Sequence, residues 1–198
     1  MEKKVIYIGL DPGKSGFITI LNPTPESDEN MWEFIPMPTH KVESGKLTKT
    51  GKPAMKTEFY EQGLRDIVFQ IAKKYKDCQL KVGIEEVGGR QGWSAQNNFN
   101  FGLTAGMQRM IFMMLKADIT MVRPQKWQSF MRQGYPNLKK KSSTGKTMVS
   151  DPKAVAELIV KTEYPHIDFR KTERSKVNDD NKVDSFLICL YLYRTLNQ

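Results

Sequence analysis

The chain has 198 residues, 39% of them hydrophobic, and its 31 Lys and Arg against 22 Asp and Glu give a formal charge of +9. That balance describes one globular domain with a buried core and excludes a disordered chain, and no apolar run approaches the roughly 20 residues of a membrane helix. Cys78 and Cys189 lack metal or redox spacing and read as buried thiols, and the N-terminal apolar run meets Asp11 too early for a signal peptide, so a cytoplasmic protein is expected.

Residues 4–11 are apolar and β-rich and read as a strand ending at Asp11. The turn Pro12-Gly13-Lys14-Ser15-Gly16 leads into a second strand, Phe17 to Leu21, forming a hairpin, and Met31 to Pro36 reads as a third strand. Residues 38–56 show no periodicity and are rich in Lys, Gly and Thr, which predicts a mobile loop. Tyr60, Leu64, Ile67, Val68, Ile71 and Tyr75 recur at helical spacing and predict a helix over 57–76. Leu80 to Glu86 is a strand, the Gly-rich turn 88–92 follows, and a long helix is expected from Ala95 to Lys116. Its methionines, Met107, Met110, Met113 and Met114, with Ile111, make an apolar surface that can serve core or interface, and the methionines are assigned first to the core. Ile119 to Val122 is a further strand, and Pro124 opens a short helix through Met131. After a lysine-rich loop over 132–149, Ser150 is expected to cap a helix with Asp151 and Pro152 in its first turn. The last helix runs from about Asn181 to Leu196. A hairpin followed by alternating strands and helices predicts one α/β domain over 1–198, a mixed sheet flanked by helices.

The positive charge is concentrated. Lys41, Lys46, Lys49, Lys52 and Lys56 fall in the first loop against a single Glu43, and Lys139, Lys140, Lys141 and Lys146 fall in the second. One such run is ordinarily solvated surface; two without counter-charge favour phosphate contacts.

Four acids stand at element ends: Asp11, Glu85, and the pair Asp180 and Asp184. Gathered together and partly desolvated, unpaired carboxylates would repel and titrate high. Mg²⁺, or Mn²⁺ in its place, relieves that repulsion, since Mg²⁺ is held by a few carboxylates plus water and substrate phosphate. Glu85 and Glu86 are strand neighbours and point to opposite faces, so only one can join Asp11. Asp180 and Asp184 share one helix face within about 40°, and Asp184 sits among Val183, Phe186 and Leu187. Each acid alone has a plainer reading as a turn, cap or surface residue, and Asp-Pro-Gly is common turn chemistry. The segment Gly9-Leu10-Asp11-Pro12-Gly13-Lys14-Ser15 is not a P-loop: it has three residues between its glycines, and a strand follows it. The same turn resembles the first phosphate loop of sugar-kinase and actin-like ATPases, but the chain is too short for their two lobes.

Taken in order, these segments resemble the RuvC-type Holliday junction resolvases, in length and divergence those of phages and poxviruses. The matching pieces are Ile8-Gly9-Leu10-Asp11-Pro12-Gly13 with Gly16, then Gly83-Ile84-Glu85-Glu86-Val87 and Phe101-Gly102-Leu103-Thr104-Ala105-Gly106. Val122-Arg123-Pro124-Gln125-Lys126-Trp127 and Lys182-Val183-Asp184-Ser185-Phe186-Leu187 complete the series, which spans most of the chain outside the two lysine loops. The resemblance implies a ribonuclease H-like fold and two Mg²⁺ ions per active site. Their ligands would be Asp11, Glu85, Asp184 and a fourth residue, Asp180 or in its place Asn181. It also implies a homodimer that cuts a four-way DNA junction on paired strands, without any membrane association.

Lys153, at the start of the helix after the second loop, is a candidate to neutralise charge at the scissile phosphate; it reads equally as a surface lysine. Arg90, Trp93 and Phe99, beside the turn after Glu85, are candidates for contact with unpaired bases, or simple packing of that turn. Two other functions stay open: a ribonuclease H-like nuclease acting on flaps or RNA–DNA hybrids, and a catalytically inactive protein that binds branched DNA.

Overall fold

Val5–Leu10 (β1) and Phe17–Leu21 (β2) are short β-branched runs buried almost throughout, which requires cover on both faces of their sheet. The computed structural model of the protein describes residues 3–24, 31–89 and 92–197. β1 and β2 form the expected antiparallel hairpin, and β3 (Trp32–Pro36) pairs antiparallel to β2. β4 (Thr39–Leu47) and β5 (Pro53–Phe59) stand apart from this sheet. Past α1 (Glu61–Lys74), β6 (Gln79–Glu85) pairs parallel to β1; past α2 (Ala95–Met114), β7 (Asp118–Val122) pairs parallel to β6. The five-stranded order is β3-β2-β1-β6-β7, the mixed α/β sheet predicted from the sequence.

Alternation along the strands sorts the core into two layers. Ile6, Ile8 and Leu10 with Val82 and Ile84 pack against Leu64, Val68 and Ile71 of α1 and Phe112 of α2. The opposite face is covered by the C-terminal helix α5 (Asp180–Leu196), which lies along β1, β2 and β6. α3 (Pro124–Met131) and α4 (Pro152–Glu163) pack beside α5 through Trp127, Met131, Val155 and Ile159. Where α5 passes closest to the sheet, Gly9 and Gly83 lie beneath it. A Cβ on Gly9 would overlap the Ser185 carbonyl oxygen and the Cys189 amide nitrogen of α5. Buried Thr19 and Ser185 share a hydrogen bond of 2.7 Å across the same seam. Cys189 is buried, its thiol donating to the Tyr7 carbonyl at 3.4 Å, whereas Cys78 is only half-buried.

Four expectations are corrected. Residues 38–56 hold an ordered antiparallel ribbon, β4 (Thr39–Leu47) with β5 (Pro53–Phe59), so α1 starts at Glu61. Both strands are mostly exposed, so neither face must be apolar and the period-2 signature is missing. The 132–149 stretch likewise contains a short strand, β8 (Lys139–Lys141), paired with β9 (Met148–Ser150). Ser150 ends β9 and donates to Asn137 Oδ1 at 2.9 Å; Asp151 caps α4, accepting from the Ala154 amide. Finally, Met110, Met113 and Met114 are at least half exposed, because the core side of α2 is taken by Ala105, Gln108 and Phe112. Among the described residues, no helix is long and apolar enough to cross a membrane.

The α5–sheet seam can be tested directly. Gly9→Ala should lower unfolding free energy by about 3 kcal/mol in urea denaturation, since helix backbone must move. Gly83→Ala, whose Cβ would meet Ile188 and Leu192 side chains at ordinary contact distances of 3.4–3.6 Å, should shift it by less than about 1 kcal/mol.

Candidate active site

Parallel pairing of β1 with β6 sets the site. The last registered pair is Leu10↔Ile84, and one step on come Asp11 and Glu85, both on the α5 side by strand alternation. Ligand sites in open α/β sheets lie at such carboxyl ends of parallel strands. The turn after Asp11 is held by Gly13 donating to the Asp11 carbonyl (3.0 Å) and Gly16 to the Gly13 carbonyl (2.9 Å). A Cβ on Gly16 would overlap the Asp11 carbonyl oxygen, so this turn needs glycine there.

Glu85 is oriented by a residue to which the sequence analysis assigned no role. The buried Trp127 indole of α3 donates to Glu85 Oε1 at 2.9 Å, as a buried indole N–H requires an acceptor. That requirement was the available signal, because Trp127 is an indole in the first turn of a helix begun by Pro124. Glu86 turns away and accepts from Arg123 at 3.0 Å.

α5 brings the remaining acids. Asp179 is the cap, its Oδ1 accepting from the amides of Asn181 (3.0 Å) and Lys182 (3.2 Å). Asp184, one turn into the helix, has its carboxyl pushed up to about 7 by burial and then by the charge of Glu85, with Asp180 adding; Lys153 and Arg132 oppose the shift. Lys153 donates to Asp180 Oδ2 at 2.5 Å. Its ammonium is pulled up chiefly by that bond, with Asp184 and Asp11 adding. Asp184 thus feels Glu85, Asp180 and Lys153, and Lys153 feels Asp180, Asp184 and Asp11. Arg132, at the end of α3, lines a small cavity of about 130 Å³ with Asp184 and Lys153; an isolated arginine in a polar loop gave no sequence signal for this.

Asp180 and Asn181 diverge. Asp180 is exposed and bound to Lys153, whereas Asn181 lines a groove of about 770 Å³ together with Asp11. One wall of that groove is Lys14 and the root of β5, and the other is Trp93, Asn97, Asn100 and Phe101 of the α2 start. Trp93 meets Phe101 edge-on at 5.7 Å. The second groove aromatic is thus Phe101, while Phe99 is 64% exposed outside it. Arg90 lies outside the described residues. Lys46, Lys49 and Lys52 stand at the β4–β5 tip. Lys139, Lys140 and Lys141 form exposed β8, with Lys140 bonded to Asp151 at 3.1 Å, and Lys146 lies in the turn that follows.

The donor set suits Mg²⁺ or Mn²⁺. It offers carboxylate oxygens only, crowded enough to hold a proton on Asp184 near neutrality. Among the described residues, no group of three or more His, Cys, Asp or Glu side chains is drawn together closely enough to hold a metal ion. A hard cation that keeps several waters and takes substrate phosphate does not need a closed protein cage.

Three solved structures are similar to this chain. Thermus thermophilus RuvC is 12% identical with a TM-score of 0.50, over 97% of this chain and 96% of that one. T. thermophilus RuvC in complex with a Holliday junction substrate is 10% identical at 0.54, over 96% of each. A yeast mitochondrial Holliday junction resolvase is 11% identical at 0.48, over 98% and 82%. By sequence, no family model and no curated protein matches. The chain has the ribonuclease H-like fold of RuvC.

Asp184 predicts a pH signature in metal-free protein. Its folded pKa lies above the unfolded value of about 3.9, so the folded state binds more protons between. Its contribution is full below about pH 4 and is lost as pH rises through about 7. Asp184→Asn should flatten that fall, leaving the variant more stable than its parent at pH 8 in urea melts with EDTA.

Proposed function

We propose that this protein is a divalent-metal-dependent endonuclease that cuts branched DNA, foremost a four-way junction, by paired phosphodiester hydrolysis. The observation that carries the reading is the placement of Asp11 and Glu85 at the carboxyl ends of two parallel strands, with Asp184 of α5 in the field of Glu85 and titrating near 7. Asp11, Glu85 and Asp184 would hold two Mg²⁺ or Mn²⁺ ions, which when bound neutralise the scissile phosphate and acidify the attacking water. Trp127 keeps Glu85 in place. Lys153, one salt bridge away from the acids, is placed to exchange Asp180 for a phosphate oxygen and stabilise charge on it. The groove, with Trp93 and Phe101 on its wall, suits an unpaired nucleotide at a branch point.

Symmetric cleavage needs two facing sites and hence a twofold dimer. The exposed side of α2 supports this, since Leu103, Met110, Met113 and Met114 are exposed there and Gly102 and Gly106 have open space above them.

Asp11→Asn and Glu85→Gln should each abolish Mg²⁺-dependent junction cleavage while leaving DNA binding intact or tighter, and Glu86→Gln should be mild. Cleavage near the parental rate in either of the first two would sink the metal-site assignment.

One observation favours a second reading, a branched-DNA-binding protein that does not cleave. The groove position beside Asp11 is filled by the neutral Asn181, while Asp180 turns to Lys153. If Asp180 is the fourth ligand, Asp180→Asn should inactivate the protein and Asn181→Asp should change little. If the ligand position is residue 181, Asn181→Asp should raise a weak activity by orders of magnitude, because a neutral amide compensates a dication poorly. Single-turnover cleavage of a labelled junction by these two variants separates the readings.

A further inference from the structure

We infer that the β4–β5 ribbon is a rigid arm that grips the duplex flanking the branch point, through phosphate contacts about nine base pairs from its root. This rests on the branched-DNA reading and assigns a partner surface to an element outside the carboxylate site.

The ribbon is anchored at one end and charged at the other. At the root, Phe59 packs into the sheet core, His40 stacks on Tyr60 at 5.0 Å, and the Tyr60 amide donates to the Pro38 carbonyl at 3.0 Å. Lys14, in the turn after Asp11, donates to the Thr57 carbonyl at 3.2 Å. The base of the arm is therefore bonded to the loop that carries a candidate metal ligand. Near the root, charge is balanced, as in the Lys56–Glu58 pair at 2.6 Å.

Residues 44–54 contain Lys46, Lys49 and Lys52 and no acid. The tip is nevertheless ordered. Thr48 donates to the Lys52 carbonyl at 2.7 Å, Lys52 donates back to Thr48 Oγ1 at 3.1 Å, and Gly51 takes the positive φ of 76° that closes the turn. A break in register between Glu43 and Leu47 bends the strand just before the tip. Leu47, 71% exposed, faces Pro53 across the ribbon and gives the tip an apolar knuckle between Lys46 and Lys52.

An exposed two-stranded ribbon is marginal alone. Three unbalanced lysines and a solvent-facing leucine on a hydrogen-bonded tip fit the charged, C–H-lined backbone of duplex DNA. Contacts to phosphate oxygens position a protein on duplex without reading sequence, so a grip made through them is independent of sequence. The nine residues of β4, at about 3.4 Å each, reach about 30 Å, or about nine base-pair steps of duplex.

The test is binding in EDTA to junctions with arms of about 20 and about 5 base pairs, using the parent and a Lys46→Gln, Lys49→Gln, Lys52→Gln triple variant. The variant should lose about tenfold affinity on long arms, with the log K against log salt slope flattened by up to about 2.7 units. On short arms the two proteins should coincide. Equal loss on both arm lengths would place the lysines at the branch point and overturn the arm. No loss on long arms would overturn it also, as would a changed oligomeric state of the variant in sedimentation. The substituted residues are exposed, and an unchanged urea midpoint confirms folding. If the parent binds linear duplex as well as junctions and cleaves neither, the branched-DNA reading fails separately, and arm-length dependence still decides the ribbon.

Discussion

Where Gly9 passes beneath Ser185 and Cys189, helix backbone lies directly on strand backbone, with no side chain between. That close approach sets the height of α5 above the sheet, and with it the position of the acids on its first turns. A methyl group at residue 9 would lift the helix and draw Asp184 away from Glu85. The Thr19–Ser185 hydrogen bond fixes the same seam along the helix axis, since sliding the helix would take the buried Thr19 hydroxyl away from its partner, while Ser185 keeps its bond to the Lys182 carbonyl. The candidate chemistry thus depends on packing that itself contains no charge.

The seam also concentrates electrostatic conflict. Asp184 of α5 stands where burial already disfavours its charged form, and the charge of Glu85 adds to that. Lys153 and Arg132 relieve the conflict partly, and Trp127 stabilises one oxygen of Glu85. A folded protein that keeps such a cluster gives up some stability at neutral pH, the usual mark of a site shaped for a ligand rather than for the apo fold. The likeness to RuvC, at 10–12% identity, is one of fold; any chemistry belongs to the side chains at the strand ends.

Strands and helices whose faces meet the core were legible in the sequence, because burial imposes a period. β1, β2, α2 and α3 fall within a residue or two of their expected bounds. The ribbon β4–β5 and the hairpin β8–β9 were read as loops, because an element exposed on both faces carries no such period. Asp11, Glu85 and Asp184 were recognisable as acids at apolar borders. The division of labour between Asp179, Asp180 and Asn181 was not, because three polar residues at a helix start look alike until the cap is seen. Trp127 and Arg132 escaped for a different reason: their roles are long-range contacts, 42 residues from Trp127 to Glu85, and no local pattern encodes those.

The Trp127–Glu85 hydrogen bond has an optical consequence. An indole buried in a hydrocarbon setting and bonded to a carboxylate emits according to the charge on that carboxylate. Of the three tryptophans in the chain, Trp127 is the one buried beside the acids, at 2% exposure. The protein therefore carries a built-in spectroscopic reporter, whose emission tracks whatever neutralises Glu85 without a label being attached.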